Sequence, residues 1–230
     1  MRASSHIEIR LAIPDDAESV AAIYAPIVRE THLSAEFDVP TPEEMRRRIA
    51  DTLLTHPWLV AERDGEILGY AYAASHRSRS GYQWTCEVSV YIRPDQHRRG
   101  VGRALYTRLL ACLRLQGFQQ AIAVIALPNP PSVALHESMG FVPVGVFPSV
   151  CFKHGKWYDI GWWRLSLGPQ AHEPPMLRTP GELIGTVEWN AASTGSSGNV
   201  ARRGTGSFTH ADWNVTWRHR PQVRRMDRGE

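Results

Sequence analysis

The chain has 230 residues, 43% hydrophobic and 21% charged, a balance that is ordinary for a globular protein. Its net charge of +3 is too small to indicate nucleic acid binding by itself. No apolar run approaches the roughly 20 residues that a membrane span needs, and the first residues lack the apolar core of a signal peptide. We therefore expect a cytoplasmic protein that binds neither membrane nor nucleic acid.

Cysteine and histidine usage argues against a disulfide or metal scaffold. Cys86, Cys112 and Cys151 are odd in number and widely spaced, which fits neither a disulfide framework nor a zinc site of paired cysteines. Cys86 and Cys112 fall on apolar faces of predicted elements and are expected in the core. The ten histidines show no H-E-x-x-H spacing, so we expect no metal.

Hydrophobic periodicity predicts a sheet flanked by helices. The predicted elements in chain order are a strand at 7–13, helices at 15–28 and 41–54, a hairpin at 58–63 and 66–74, a strand at 84–92, a helix at 101–115, a buried strand at 120–127, a short helix at 133–139, and strands at 141–150 and 157–167. Pro26 should kink or end the first helix near Ala25. This order predicts an α/β (α+β) fold with a mixed central sheet of about seven strands and helices on both faces.

The composition changes after Leu167. Residues 168–230 contain Pro174-Pro175 and a stretch rich in Ser, Thr, Gly and Asn at 191–206, with no sustained periodicity. Such a segment buries too little apolar surface to offset the entropy of ordering it. We therefore predict a folded domain over residues 1–167 and a mostly disordered tail over 168–230. The tail's tryptophans (Trp189, Trp213 and Trp217) leave a partner-binding peptide open.

A basic, glycine-containing turn joins the strand at 84–92 to the helix that follows. Gly100 and Gly102 let an anion approach the backbone, and the helix N-terminus adds N–H groups and partial positive charge. Arg98, Arg99 and Arg103 add full charges, which favours a pyrophosphate over a lone carboxylate. The same spacing also fits an ordinary strand-to-helix connection with an arginine-rich surface. A P-loop is excluded because no Gly-Lys-Ser/Thr closes the turn.

At this turn the sequence resembles the GNAT superfamily of N-acetyltransferases, whose acetyl-CoA loop reads Gln/Arg-x-x-Gly-x-Gly/Ala, with His97 in the Gln/Arg position. Over residues 7–167 it resembles in particular the phosphinothricin and methionine sulfone/sulfoximine N-acetyltransferase subfamily. The segments that carry this resemblance are Tyr82-Gln83-Trp84-Thr85-Cys86-Glu87, Leu127-Pro128-Asn129, Pro131-Ser132-Val133, His136-Glu137 and Phe152-Lys153-His154-Gly155-Lys156-Trp157.

The resemblance implies acetyl-CoA as co-substrate and a donor site in three parts. The pyrophosphate would be bound by Arg98, Arg99, Gly100, Val101, Gly102 and Arg103. The thioester oxygen and the pantetheine amides would be bound by the strand backbone at Val90, Tyr91 and Ile92. The pantetheine arm and the CoA would also contact Asn129 and Ser132.

The resemblance also implies an acid/base pair. Acetyl transfer needs a neutral amine, and an α-amino group has a pKa of about 7.7–8.0, against about 10.4 for lysine. A carboxylate can therefore deprotonate it directly or through one water. Glu87 corresponds to that general base, although by pattern alone it is an ordinary polar-face strand residue. His136 corresponds to the group that protonates the departing thiolate, although a lone helix histidine is more often structural.

For the acceptor, the resemblance implies contacts in the loop before the 84–92 strand and in two further places. Arginine forks suit a carboxylate, phosphinate or sulfone oxygen. The implied acceptor-binding residues are Arg77, Arg79, Tyr82, Ser89 and Phe37. By pattern alone the two arginines also fit a solvated basic loop. The resemblance further implies a homodimer.

The sequence thus predicts an acetyl-CoA-dependent N-acetyltransferase acting on the α-amino group of a small amino acid or analogue, such as phosphinothricin or methionine sulfone. One alternative is acetylation of protein N-termini or lysines. Another is a non-catalytic CoA-binding regulatory module, against which Glu87 and His136 argue. Resistance to phosphinothricin would be a side activity of such a pocket.

Overall fold

A computed structural model of the chain describes residues 6–169 and 172–193. In the described part the strands are β1 Glu8–Leu11, β2 Trp58–Arg63, β3 Glu66–Ser75, β4 Thr85–Ile92, β5 Gln120–Leu127, β6 Val142–Lys153 and β7 Lys156–Ser166. The α-helices there are α1 Ala17–Glu30, α2 Pro42–Leu53, α3 Val101–Gln116, α4 Pro130–Ser138, α5 Pro180–Leu183 and α6 Val187–Ser193. Within these ranges no helix has the length and apolar content needed to cross a membrane.

One seven-stranded sheet runs in the order β1-β2-β3-β4-β5-β7-β6. All neighbouring pairs are antiparallel except β4 and β5, which are joined by the crossover helix α3 and run parallel. The predicted mixed sheet of about seven strands is confirmed. The hairpin turn at Asp64-Gly65 has φ values of 54° and 81°, as a tight two-residue turn requires.

Helices cover both faces of the sheet because successive strand residues point to opposite sides. In β2, Leu59 and Ala61 face the core beneath α3, whereas Trp58 and Val60 face α1 and α2. All four are buried, which explains why this strand reads as an apolar run rather than an alternation. Cys86 lies in the core beneath α3 and Cys112 is buried on that helix, as predicted.

Several element boundaries differ from the prediction, two of them at prolines in helices. Helix α1 continues through Pro26 to Glu30, so it does not end near Ala25 as one of the two expectations had it. Proline removes a single i→i−4 hydrogen bond, and the burial of Val28 beyond it keeps the last turn in place. Helix α4 begins at Pro130, earlier than predicted, because proline suits a first turn and the Asn129 side chain caps it.

The structure differs from the predicted disordered tail over residues 172–193. Leu183 and Trp189 are buried and pack with Cys112 against α3. The Trp84 indole N–H donates to the Pro175 carbonyl at 2.7 Å. These few apolar residues have no regular spacing, so their burial depends on the surface of α3 and leaves no periodic signal. Residues 194–230, including Trp213 and Trp217, lie outside the described part of the chain.

Candidate active site

Strands β4 and β5 separate partway along the sheet. Only residues Thr85–Glu87 of β4 form pairs with β5, and their partners are Gln120–Ile122. Beyond that point β4 pairs with β3 alone and β5 pairs with β7 alone, up to Ile92 and Leu127. The β5-facing edge of β4 therefore offers backbone N–H and C=O groups to an extended ligand. This open edge contains three predicted donor-binding residues, Val90, Tyr91 and Ile92.

The glycine turn lies at the end of this open edge. Arg98 and Gly100 have φ values of 59° and 83°, and Gly100 is the N-cap of α3 without any side-chain cap. Helix geometry leaves the N–H groups of Val101, Gly102 and Arg103 without intrahelical partners. Successive N–H groups next to left-handed residues form a concave site for an anion. The backbone here suits a pyrophosphate.

Gly102 fixes the turn against its neighbours. A Cβ atom at Gly102 would lie 3.2 Å from Leu135 Cδ2 and 3.8 Å from Ile92 Cγ1. The start of α3 therefore packs closely on α4 and on the end of β4. Arg103 donates to the Ser138 hydroxyl of α4 at 2.8 Å, which leaves Arg98 and Arg99 as the exposed, unpaired guanidinium groups of the turn among the described residues.

Glu87 lies at the point where β4 leaves β5. Its side chain is 32% exposed, and Oε1 accepts a hydrogen bond from His76 Nδ1 at 2.8 Å. The His76 ring is held edge-on by Tyr82 and Trp162, with centroid distances of 5.8 and 5.7 Å. The Arg77 guanidinium lies 3.9 Å from the same Glu87 oxygen. The carboxylate is therefore both oriented and open to solvent.

The sequence analysis did not identify His76. It follows Ser75, the last residue of β3, and Ser75 pairs with Cys86 beside Glu87. That register depends on how residues 76–84 connect the two strands, and no local sequence signal reports it.

Three of the predicted acceptor residues line one cavity, and the other two lie next to residues that line another. Ser89 lies opposite Tyr72, which lines a cavity of about 250 Å³ with Tyr24, Trp58 and Tyr70 on the α1–α2 side of the sheet. Glu36 also lines it, and the neighbouring Phe37 is 70% exposed in the same loop.

The phenols of this first cavity are neutral hydrogen-bonding groups. Burial raises the pKa of Tyr24 to about 12 and also raises the pKa of Tyr72. The Arg48 guanidinium pairs with Glu36 at 2.8 Å, so the charges lining the cavity are partly compensated.

Arg77, Arg79 and Tyr82 line the second cavity, of about 300 Å³, at the opposite end of β4 from the glycine turn. His56 also lines it, and burial lowers the pKa of His56 to about 4, so the imidazole is neutral at pH 7. Residues 177–179 of the C-terminal segment complete the wall. Glu87 does not line this cavity, but the Arg77 side chain links the two, because it lines the cavity and lies 3.9 Å from Glu87.

His136 is buried and uses both ring nitrogens within the protein. Tyr106 Oη lies 2.8 Å from Nε2, and Nδ1 lies 2.7 Å from the Ser132 carbonyl oxygen. Burial also lowers the pKa of His136, which favours the neutral ring that donates from Nδ1 and accepts at Nε2. The ring packs edge-on against Phe141. Each ring nitrogen therefore has a partner within the protein, and the acid/base role implied by the resemblance stays a prediction.

Asn129 and Ser132 hold the start of α4. The Asn129 side-chain oxygen accepts from the Ser132 N–H at 3.3 Å, and the Ser132 carbonyl holds His136. Both residues therefore have structural roles here, next to the open side of β5. In residues 6–169 and 172–193 no three His, Cys, Asp or Glu side chains come together as metal ligands.

In this site a parallel strand pair separates beside a carboxylate, and an anion-binding helix N-terminus lies beyond the open edge. This arrangement is that of an acyltransferase that binds its donor in extended form. The chain belongs to the GNAT acetyltransferases, because the family model described as Acetyltransferase (GNAT) domain matches residues 9–162. It is an acetyltransferase, and the predicted family and enzyme class are confirmed.

Known N-acetyltransferases are similar to this chain over most of their length. It is 46% identical over 153 residues to a phosphinothricin N-acetyltransferase of Alcaligenes faecalis, spanning 66% of this chain and 78% of that protein. It is 34% identical over 164 residues to an L-methionine sulfoximine/L-methionine sulfone acetyltransferase of Salmonella typhimurium, spanning 71% and 96%. A solved GNAT phosphinothricin acetyltransferase from Sinorhizobium meliloti, in complex with AcCoA, superposes with a TM-score of 0.70 at 34% identity, covering 73% of this chain and 92% of that one.

Proposed function

We propose that this enzyme transfers the acetyl group of acetyl-CoA to the α-amino group of a small amino acid or amino-acid analogue of the phosphinothricin or methionine sulfone/sulfoximine type. The names of the similar proteins support this acceptor class. The observation that carries the proposal is Glu87, which lies oriented by His76 where β4 separates from β5.

The donor site fits acetyl-CoA in shape and charge. The first turn of α3, with Arg98, Arg99 and the N–H groups from Val101 to Arg103, would hold the pyrophosphate. The open edge of β4 at Val90, Tyr91 and Ile92 would bind the pantetheine amides, and Asn129 and Ser132 would border the pantetheine arm across the gap. When bound, acetyl-CoA supplies an activated acetyl thioester.

Glu87 would receive the proton that the acceptor must lose. The α-ammonium group has a pKa of about 7.7–8.0, so a carboxylate removes its proton at small cost near neutral pH. The His76 contact occupies one Glu87 oxygen and leaves the other available to the amine or to one water. The exposed part of the side chain passes the proton to solvent.

Arg77 and Arg79 would bind an anionic or strongly polar group of the acceptor, with Tyr82 beside them. Ser89 and Phe37 would contact the acceptor from the α1–α2 side of the sheet. A lysine acceptor is disfavoured, because its pKa of about 10.4 demands a stronger base than one partly exposed glutamate. The amine would form the new bond to the acetyl carbon as the bond to the CoA sulfur breaks, and His136 stays the predicted source of the proton for the departing thiolate.

We also propose that the enzyme is a homodimer and acts in the cytoplasm. Strand β6 is an edge strand whose side chains are largely exposed although many are apolar. Its exposed large hydrophobic residues are Val142, Val144, Val146, Phe147, Val150 and Phe152, and Trp157 of β7 extends the same hairpin. Monomers rarely expose apolar surface of this extent, which supports a second copy of the chain as its cover.

An acetyl-transfer assay tests the proposed function. The purified protein is mixed with acetyl-CoA and a panel of free amino acids, phosphinothricin and methionine sulfone, and release of the CoA thiol is followed. We expect release that depends on at least one of these α-amines. If calorimetry detects CoA binding but no amine accepts the acetyl group, the chain is a CoA-binding module and the proposal is wrong.

A further inference from the structure

The C-terminal segment, residues 172–193, is anchored by hydrogen bonds next to the second cavity. Gln116 is buried and anchors Arg178 through both backbone groups. The Arg178 N–H donates to the Gln116 carbonyl at 2.9 Å, and Gln116 Nε2 donates to the Arg178 carbonyl at 2.8 Å. The Trp84 hydrogen bond to Pro175 provides a second anchor. The backbone on both sides of the Arg178 side chain is therefore fixed.

This anchoring brings a third arginine to the second cavity. Arg178 lines the cavity together with Arg77 and Arg79, and no carboxylate is among its lining residues. Among the described residues, neither Arg79 nor Arg178 forms an ion pair with a carboxylate, although Glu182, whose pKa is lowered first by a backbone hydrogen bond, is near enough for Arg178 to lower it further. His56 in the same wall is neutral. The three arginines are the only charged side chains among the described lining residues, so the cavity lining is positively charged.

Arg77 connects this charge to the candidate base. It lines the cavity, lies 3.9 Å from Glu87 Oε1 and stacks over the Trp162 ring at 5.7 Å. An acceptor whose amine is at Glu87 would therefore extend past Arg77 towards Arg79 and Arg178. A cavity of about 300 Å³ is at the small end of ligand sites, which suits an amino-acid side chain.

We propose that Arg178, with Arg79, binds an acidic group at the end of the acceptor's side chain, so that the enzyme prefers amino acids with a carboxylate or phosphinate there. This inference rests on the proposed function and names its acceptor class more narrowly. A side-chain anion gains charge-assisted hydrogen bonds from the Arg79 and Arg178 guanidinium groups, whereas a neutral sulfone gains weaker ones. The α-carboxylate is common to all these acceptors and gives no preference.

The test compares two acceptors in two variants. Phosphinothricin carries a phosphinate in its side chain, and methionine sulfone carries a neutral sulfone. Arg178→Gln removes the charge without altering the backbone anchors. Arg29→Gln is the matched control, because Arg29 is exposed in the last turn of α1 and no partner contacts its side chain among the described residues.

We expect Arg178→Gln to lower kcat/KM for phosphinothricin about tenfold through KM, to change it less than about twofold for methionine sulfone, and to leave the affinity for CoA unchanged. Arg29→Gln should match the parent with both acceptors. Equal losses with both acceptors, or no loss with either, would overturn the inference. If the parent acetylates neither acceptor nor any other amine, the proposed function itself fails.

Discussion

His76 determines how the Glu87 carboxylate lies. A strand glutamate that is 32% exposed normally samples several rotamers. Here one oxygen is held by an imidazole that is itself fixed between Tyr82 and Trp162. A base that is already oriented gives up less conformational entropy when the acceptor binds.

Replacing the base tests its role directly. We expect Glu87→Gln to lower kcat by about 10²- to 10⁴-fold, because the amide keeps the shape but cannot accept the ammonium proton. Its dissociation constant for CoA, measured by calorimetry, should stay within about twofold of the parent value. Equal turnover by variant and parent across pH 6 to 9 would remove Glu87 from the mechanism.

Two substitutions separate the hydrogen bond of His76 from its packing. His76→Phe keeps an aromatic ring between Tyr82 and Trp162 but removes the donor to Glu87. We expect kcat to fall about tenfold with little change in the KM for acetyl-CoA. His76→Gln restores an N–H donor and should recover part of the lost rate. If the phenylalanine variant retains the parent's kcat and pH–rate profile, His76 does not position the base.

His56 makes stability depend on pH. Burial lowers its pKa from 6.5 to about 4, so the folded protein resists its protonation more than the unfolded chain does. The contribution is complete above pH 6.5 and is lost as pH falls towards 4. Between pH 7 and pH 5 the free energy of unfolding should drop by about 2 kcal/mol from this residue. Urea unfolding at both pH values, with His56→Phe for comparison, measures it. An equal drop in the variant would contradict the prediction.

Among the elements, the turn before α3 combines two requirements. Gly100 needs a left-handed backbone for the cap, while Gly102 needs the absence of a Cβ for close packing. Together they place the first-turn N–H groups beside the open edge of β4.

Two glycines with the same backbone conformation test the role of this turn. Gly100 and Gly65 have φ values of 83° and 81°, and a Cβ at either would meet open space. Alanine at either position should therefore cost about 1 kcal/mol of stability through backbone strain alone. Only Gly100→Ala should weaken CoA binding, by about three- to tenfold in calorimetry. Equal CoA affinity in both variants would mean that the turn does not contact the pyrophosphate.

The sequence predicted strand β4 and the turn before α3 correctly, because their conformations depend on neighbouring residues. The alternation around Cys86 and Val88 and the glycines of the α3 turn specify their conformations within a few residues. The separation of β4 from β5 depends instead on the pairing of β5 with β7 along its whole length. The contact between His76 and Glu87 depends on the register between β3 and β4. Neither leaves a local pattern, and Trp189 has no periodic neighbours to mark its burial.

At the scale of the whole molecule, the β6–β7 hairpin is the surface that most needs a partner. A charge placed in its apolar face should disrupt a dimer. We expect the parent to have twice the 25.9 kDa chain mass in light scattering, and Val144→Glu to shift it towards 25.9 kDa. Val187→Glu, which adds the same charge at an exposed position on α6, should leave the mass unchanged. A parent that is monomeric at micromolar concentration would contradict the proposed dimer.

The C-terminal segment also indicates where acceptor preference can change without a change in the family fold. The family match ends at residue 162, yet residues 177–179 form part of a cavity wall next to the candidate base. Leu177 packs against the core, but the Arg178 side chain is exposed and can change at little cost to folding. If Arg178 binds the acceptor as proposed, a change at this one exposed position would alter acceptor preference while the catalytic scaffold stays constant.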